Sequence, residues 1–168
     1  GLGDFVCDPV SPPCPLEPLP ACRTVTEPGR SSLSIKNRTD NSKDRLSWKW
    51  TKGAETALAE FGNPLSSTAT ARYSVCVYDS TTTAQPELIG SLVLPTGICG
   101  EVPCWSTVGK NGYKFSDGTA TQGGIQKLQL KAGDAGKTKV IVKGAGSGLA
   151  VRPLPATEPV TVQLIVND

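Results

Sequence analysis

The chemistry open to this chain is bounded first by what it lacks: six cysteines and fifteen acidic residues stand beside no histidine at all. Without histidine, neither a Ser-His-Asp triad nor a Cys-His pair can be assembled. Zinc sites built on CxxC pairs or spaced histidines are absent as well. A glycosidase needs only two carboxylates at a suitable separation, but no spacing among the acids singles out a pair. "TDNSKD" sets Asp40, Ser42 and Asp44 at alternate positions, an oxygen-ligand pattern. Counted from Asp40, however, the sixth position is Arg45 and the twelfth is Thr51, where a calcium loop of the EF-hand kind wants glycine and glutamate. The expectation is a protein without catalytic residues, metal or cofactor.

Two further constellations could bind rather than react. Trp48, Trp50 and Trp105 could stack on sugar rings if the face that carries them is exposed, but Trp48 and Trp50 share a face with Leu46, and burial is the default for so large an apolar surface. Lys127, Lys131, Lys137, Lys139 and Lys143 fall on alternating strands and read most simply as solvated surface. With 17 basic against 15 acidic residues the net charge is only +2, so nucleic acid is not an indicated partner. "NRT" at Asn37 matches an N-glycosylation sequon.

The cysteines carry the strongest local signal. An even number in a modest β-rich chain points to disulfides and an oxidising compartment. In "CGEVPCW", Cys99 and Cys104 flank a small turn with Gly100 and Pro103, which makes them the best pair. Spacing leaves the remaining connectivity open. Cys22 is the natural candidate for Cys76, and Cys7 with Cys14 would then close the terminal segment. No stretch approaches the ~20 apolar residues of a membrane-spanning helix, and a mature secreted protein is expected.

The elements that must position these residues are short strands. "SSLSIKN", "DRLSWKW", "RYSVCVYD", "ELIGSLVL", "CWSTV", "GYKF", "IQKLQLKAG", "GKTKVIVKG" and "PVTVQLIVND" alternate apolar and polar residues between turn signals. Gly90 suggests a bulge. Asn111 and Gly112 suggest one hairpin turn, and Gly133 to Gly136 another. "GAETALAEFG" has the composition of a helical turn. The pattern predicts an all-β fold, a two-sheet antiparallel β-sandwich of about eight or nine strands over residues 31–168. Residues 1–30 form a Pro/Cys-rich N-terminal arm, since six of the first 22 residues are proline and proline fits neither a helix interior nor a central strand.

"LSIKNRTDNSKDRLSWKWTKGAETALAEFGNP", "YSVCVYD", "CGEVPCW", "GYKFSDGTATQGGIQKLQLKAGDAGKTKVIVKGAGSGL" and "PLPATEPVTVQLIVND" resemble an uncharacterised β-sandwich domain that recurs in large secreted and cell-surface proteins of environmental bacteria. The resemblance covers about residues 31–168 and implies location and fold rather than an activity. The arm lies outside it.

Function is therefore argued from the arm. Leu2, Phe5, Val6, Leu16 and Leu19 are apolar side chains without an evident core, spaced along a semi-rigid proline-rich stretch. A terminal segment that adds to a neighbour's sheet makes a contact that propagates. The expectation is a structural subunit of an extracellular filament or surface assembly, with copies of itself as partners. The alternatives are a carbohydrate-binding adhesin module using Trp48, Trp50 or Trp105, and a monomeric spacer domain of a surface protein.

Overall fold

The computed structural model describes the backbone of residues 4–7 and, in full, residues 14–66, 72–80, 85–94, 96–121, 123–152 and 154–167. Among them the chain is all-β, with several antiparallel sheets. Among the described residues, short 3-10 turns at Asn41–Lys43 and Leu58–Phe61 are the only helical pieces, the second of them inside the segment of helical composition.

The described residues form twelve strands: β1 (Asp4–Cys7), β2 (Ser31–Lys36), β3 (Arg45–Gly53), β4 (Arg72–Ser80), β5 (Pro86–Leu94), β6 (Ile98–Cys99), β7 (Val102–Pro103), β8 (Trp105–Thr107), β9 (Gly112–Ser116), β10 (Ile125–Lys131), β11 (Thr138–Ala145) and β12 (Thr161–Asn167). Nine of these correspond to the alternating runs of the sequence. The other three, β1, β6 and β7, are too short or too proline-rich to show a period. A four-stranded sheet runs β1-β12-β4-β5, a six-stranded sheet runs β2-β3-β11-β10-β9-β8, and β6 with β7 forms a separate hairpin. The pairing is antiparallel with one exception that departs from the expectation: β1 runs parallel to β12, from Asp4 beside Val162 to Cys7 beside Ile165.

The alternation decides what is buried. Leu46, Trp48 and Trp50 on β3, Leu128 and Leu130 on β10, and Val140 and Val142 on β11 share one apolar cluster with Tyr73, Val75 and Val77 of β4 and Val162, Leu164 and Val166 of β12. Side chains from both larger sheets thus meet in a single core. Aromatic contacts tighten it: Tyr73 lies 4.5 Å from Trp105 and Trp105 lies 5.4 Å from Phe115, centroid to centroid. Strand β4 is buried almost throughout, because its opposite face carries a second cluster of Cys14, Cys76, Tyr78 and Ile165.

Turn chemistry is partly as read and partly relocated. The β10–β11 hairpin turns through Gly133–Gly136, with Gly136 at φ 81°. Between β8 and β9 the left-handed residue is Gly109, at φ 61°, and not Asn111 or Gly112. Gly112 is instead the first residue of β9, where a Cβ would come within 2.5 Å of the Leu130 carbonyl oxygen. The bulge expected at Gly90 falls beside it, where the β4–β5 register slips between Val77 and Tyr78.

Candidate assembly site

The proline-rich segment is held against the four-stranded sheet by bonds of three kinds. Cys14 is bridged to Cys76 in the middle of β4, which corrects the pairing of Cys76 with Cys22 and of Cys7 with Cys14. The physical reason lies in the path of the chain. Residues 14–22 run across the sheet's outer face, so the residue that passes over Cys76 is the one farther from the domain. Cys22 is itself disulfide-bonded, and the side chain of Cys7 lies outside the described residues.

The second kind of bond is polar. Gln163 of β12 is fully buried and reads Leu19 as a neighbouring strand would: its Oε1 accepts from the Leu19 N–H at 2.9 Å and its Nε2 donates to the Leu19 carbonyl at 2.9 Å. The buried Tyr78 hydroxyl donates to the Pro15 carbonyl at 2.9 Å. Burial pushes its pKa up to about 12. The third is apolar contact, with Leu19, Cys22 and Leu88 packed on the Cys14, Cys76, Tyr78 and Ile165 cluster. Beyond Cys22 the chain crosses to the other sheet. There the Thr26 N–H donates to the Lys52 carbonyl at 2.8 Å, the Ala54 N–H donates to the Thr24 carbonyl at 2.9 Å, and Arg23 pairs with Glu60.

The residues expected to make an assembly contact therefore divide. Leu19 is spent within the chain. Leu16 is 81% exposed, a large apolar side chain that faces solvent. Phe5 and Val6 lie in β1, on the outer edge of β12, and their side chains, like the whole of Leu2, are outside the described residues.

A second exposed apolar feature was not singled out by sequence reasoning. The β6–β7 hairpin pairs Ile98 with Pro103 and Cys99 with Val102, and the expected Cys99–Cys104 bridge closes it. Ile98 is 68% exposed and Val102 61%. The signal was in the sequence, as apolar residues inside a cysteine-clipped turn too small to bury them.

The other candidates are absorbed by the fold. Trp48 and Trp50 are fully buried and Trp105 nearly so, which leaves no ring face for a sugar. The Trp48 indole donates to Ser31 Oγ at 3.1 Å. Asp40 caps its own turn by accepting from Ser42 N and Oγ at 3.0 and 2.6 Å. Asp44 accepts from the Arg38 N–H at 2.7 Å and pairs with Arg152 at 3.3 Å, so the two carboxylates serve different partners. Asn37 is exposed just past β2.

The bridges at Cys14–Cys76 and Cys99–Cys104 are compatible with an oxidising, extracellular location. Among the described residues no helix is long and apolar enough to cross a membrane. No protein-family model matches the chain, and neither a curated protein nor a solved structure is significantly similar to it.

Proposed function

We propose that this chain is a structural, non-catalytic subunit of an extracellular filament or surface assembly. In this reading residues 31–168 form a two-sheet β-sandwich, and residues 1–30 form an arm that couples one copy to the next. The observation that carries it is the place of β1. A strand supplied by a terminal segment occupies the outer edge of β12 through backbone pairing, and such pairing is indifferent to which copy supplies the strand.

The arm has the anatomy such an exchange needs. Its root, residues 14–22, is fixed in cis by the Cys14–Cys76 bridge and by Gln163. Only the six residues 8–13 separate that root from β1. Any stretch of that length reaches at most roughly 20 Å, and three of the six are proline, a composition typical of semi-rigid spacers. Donated to a neighbour's β12, β1 leaves its own β12 edge open for the next copy. That contact is head-to-tail and does not close, so it grows as a fibre. Exposed Leu16, on the segment that roots the arm, supplies apolar surface for the same junction.

The test is negative-stain electron microscopy of the purified protein under non-reducing conditions. Regular filaments are expected, and a Phe5→Pro/Val6→Pro variant, which removes β1 backbone donors, is expected to yield separate particles. Separate single-domain particles from the unaltered chain would overturn the reading and leave a monomeric spacer in its place.

A further inference from the structure

The two larger sheets differ in charge. The strands of the six-stranded sheet hold nine basic residues and no acidic one. Those of the four-stranded sheet hold three acidic residues and one basic. A net charge of only +2 conceals this segregation.

The register places six of the lysines in a ring. Lys127 faces Lys143 and Lys131 faces Lys139 across β10 and β11, with Gln129 facing Ile141 between them. Along that middle row Gln129 is flanked by Lys114 of β9, and Ile141 by Lys49 of β3. Each lysine alternates with buried neighbours (Trp48, Phe115, Leu128, Leu130, Val140 and Val142), so all six lie on the face turned away from the core. Four residues along β10 and three strand spacings across the sheet both come to about 14 Å, so the six-membered ring is about as wide as it is long. Among the described residues none of the six has a carboxylate partner: the ion pairs formed use Arg23, Arg30, Lys43, Lys137 and Arg152. Two directly opposed lysine pairs are a like-charge arrangement that weakens a sheet, and the fold draws nothing from it.

We infer that this face is a binding site for a linear anionic polysaccharide carrying carboxylate or sulfate groups. Lysines suit that ligand, being mobile point charges that follow a chain of repeating anions without demanding bidentate geometry. A frame of six engages several repeats of one chain together. Single-stranded nucleic acid fits less well because no aromatic ring lies on the face to stack a base. A lipid surface fits less well because Ile141 is the one large apolar side chain there to insert. The site goes beyond the assembly reading and does not depend on β1.

Isothermal titration calorimetry at low salt tests it, with polygalacturonate and dextran sulfate as probes and neutral dextran, anionic lipid vesicles and oligothymidylate as comparisons. Binding to one or both anionic glycans is expected, and which of them binds distinguishes carboxylate from sulfate. Affinity should fall steeply with added salt. The variant K49Q/K127Q/K143Q should bind roughly a hundredfold more weakly, taking about a fivefold loss per lysine. K43Q/K110Q/K137Q, with the same net charge change off this face, should lose little. Calorimetric melting adds a readout independent of binding: K127Q/K143Q relieves a repulsion and should melt about 1–3 °C higher at low salt. No binding to either glycan, equal losses in the two triple variants, or tighter binding to vesicles or oligothymidylate would each overturn the inference. The Phe5→Pro/Val6→Pro variant should bind the glycan as well as the unaltered chain, so failure of the assembly reading leaves this result intact.

Discussion

Asp117 accepts four hydrogen bonds, from Thr119 N and Oγ1 at 3.0 and 2.6 Å and from Thr121 N and Oγ1 at 2.9 and 2.7 Å. Burial acts to raise its pKa, and these four bonds outweigh it, holding the carboxyl at about 2. An unfolded aspartate titrates near 3.9, so the loop's contribution to stability is complete above about pH 4 and is lost as the pH falls toward 2. Asp117→Asn keeps the shape but replaces an acceptor by a donor. It should lower stability at pH 7 by about 1–3 kcal/mol and flatten the acid limb of a denaturation profile measured between pH 5 and 2. Gln163→Leu should cost about 1–3 kcal/mol in urea unfolding, since it strands both backbone groups of Leu19. Neither residue was legible beforehand. "SDGTATQ" reads as an ordinary turn, and a glutamine on a strand reads as solvent-facing until something is known to cover it.

At the scale of elements, alternation located nine of the strands because each has one buried and one uncovered or differently covered face. It failed where periodicity has no room, in the four residues of β1 and the two-residue strands β6 and β7. The cysteine pairing divided along the same line. A bridge across a sequence separation of five was readable from its turn, whereas one across 62 residues depends on the chain's path over the sheet. Their energetic weights differ accordingly. By chain entropy the longer bridge contributes about 4 kcal/mol and the shorter about 2. Urea denaturation of Cys14→Ala/Cys76→Ala should therefore show roughly twice the loss of Cys99→Ala/Cys104→Ala. An equal loss would mean that residues 14–22 stay seated without their covalent tie.

For the whole molecule, strand order was beyond the sequence's reach. Nothing in the sequence announces that β11 lies between β3 and β10, yet that neighbour relation brings Lys49 to the frame completed by Lys114 on β9. Lysines legible one by one as solvated became a patterned face only through register. Because one sheet concentrates the cations and the other holds all three acids found in the described strands, self-repulsion is local and screenable. The melting temperature should rise by about 1–3 °C between 0.01 M and 0.15 M NaCl, although a net charge of +2 by itself predicts almost no salt effect.

The burial of all three tryptophans has an optical consequence. Trp48, Trp50 and Trp105 sit in one apolar core, and Trp105 lies against Tyr73 and Phe115. Indole emission from this protein therefore reports a single event, the opening of that core to water. A glycan settling on the lysine frame, or a strand exchanged at β12, touches no indole and leaves the spectrum as it was. A red shift on adding any ligand thus signals unfolding, and the chain carries its own control for every binding experiment performed on it.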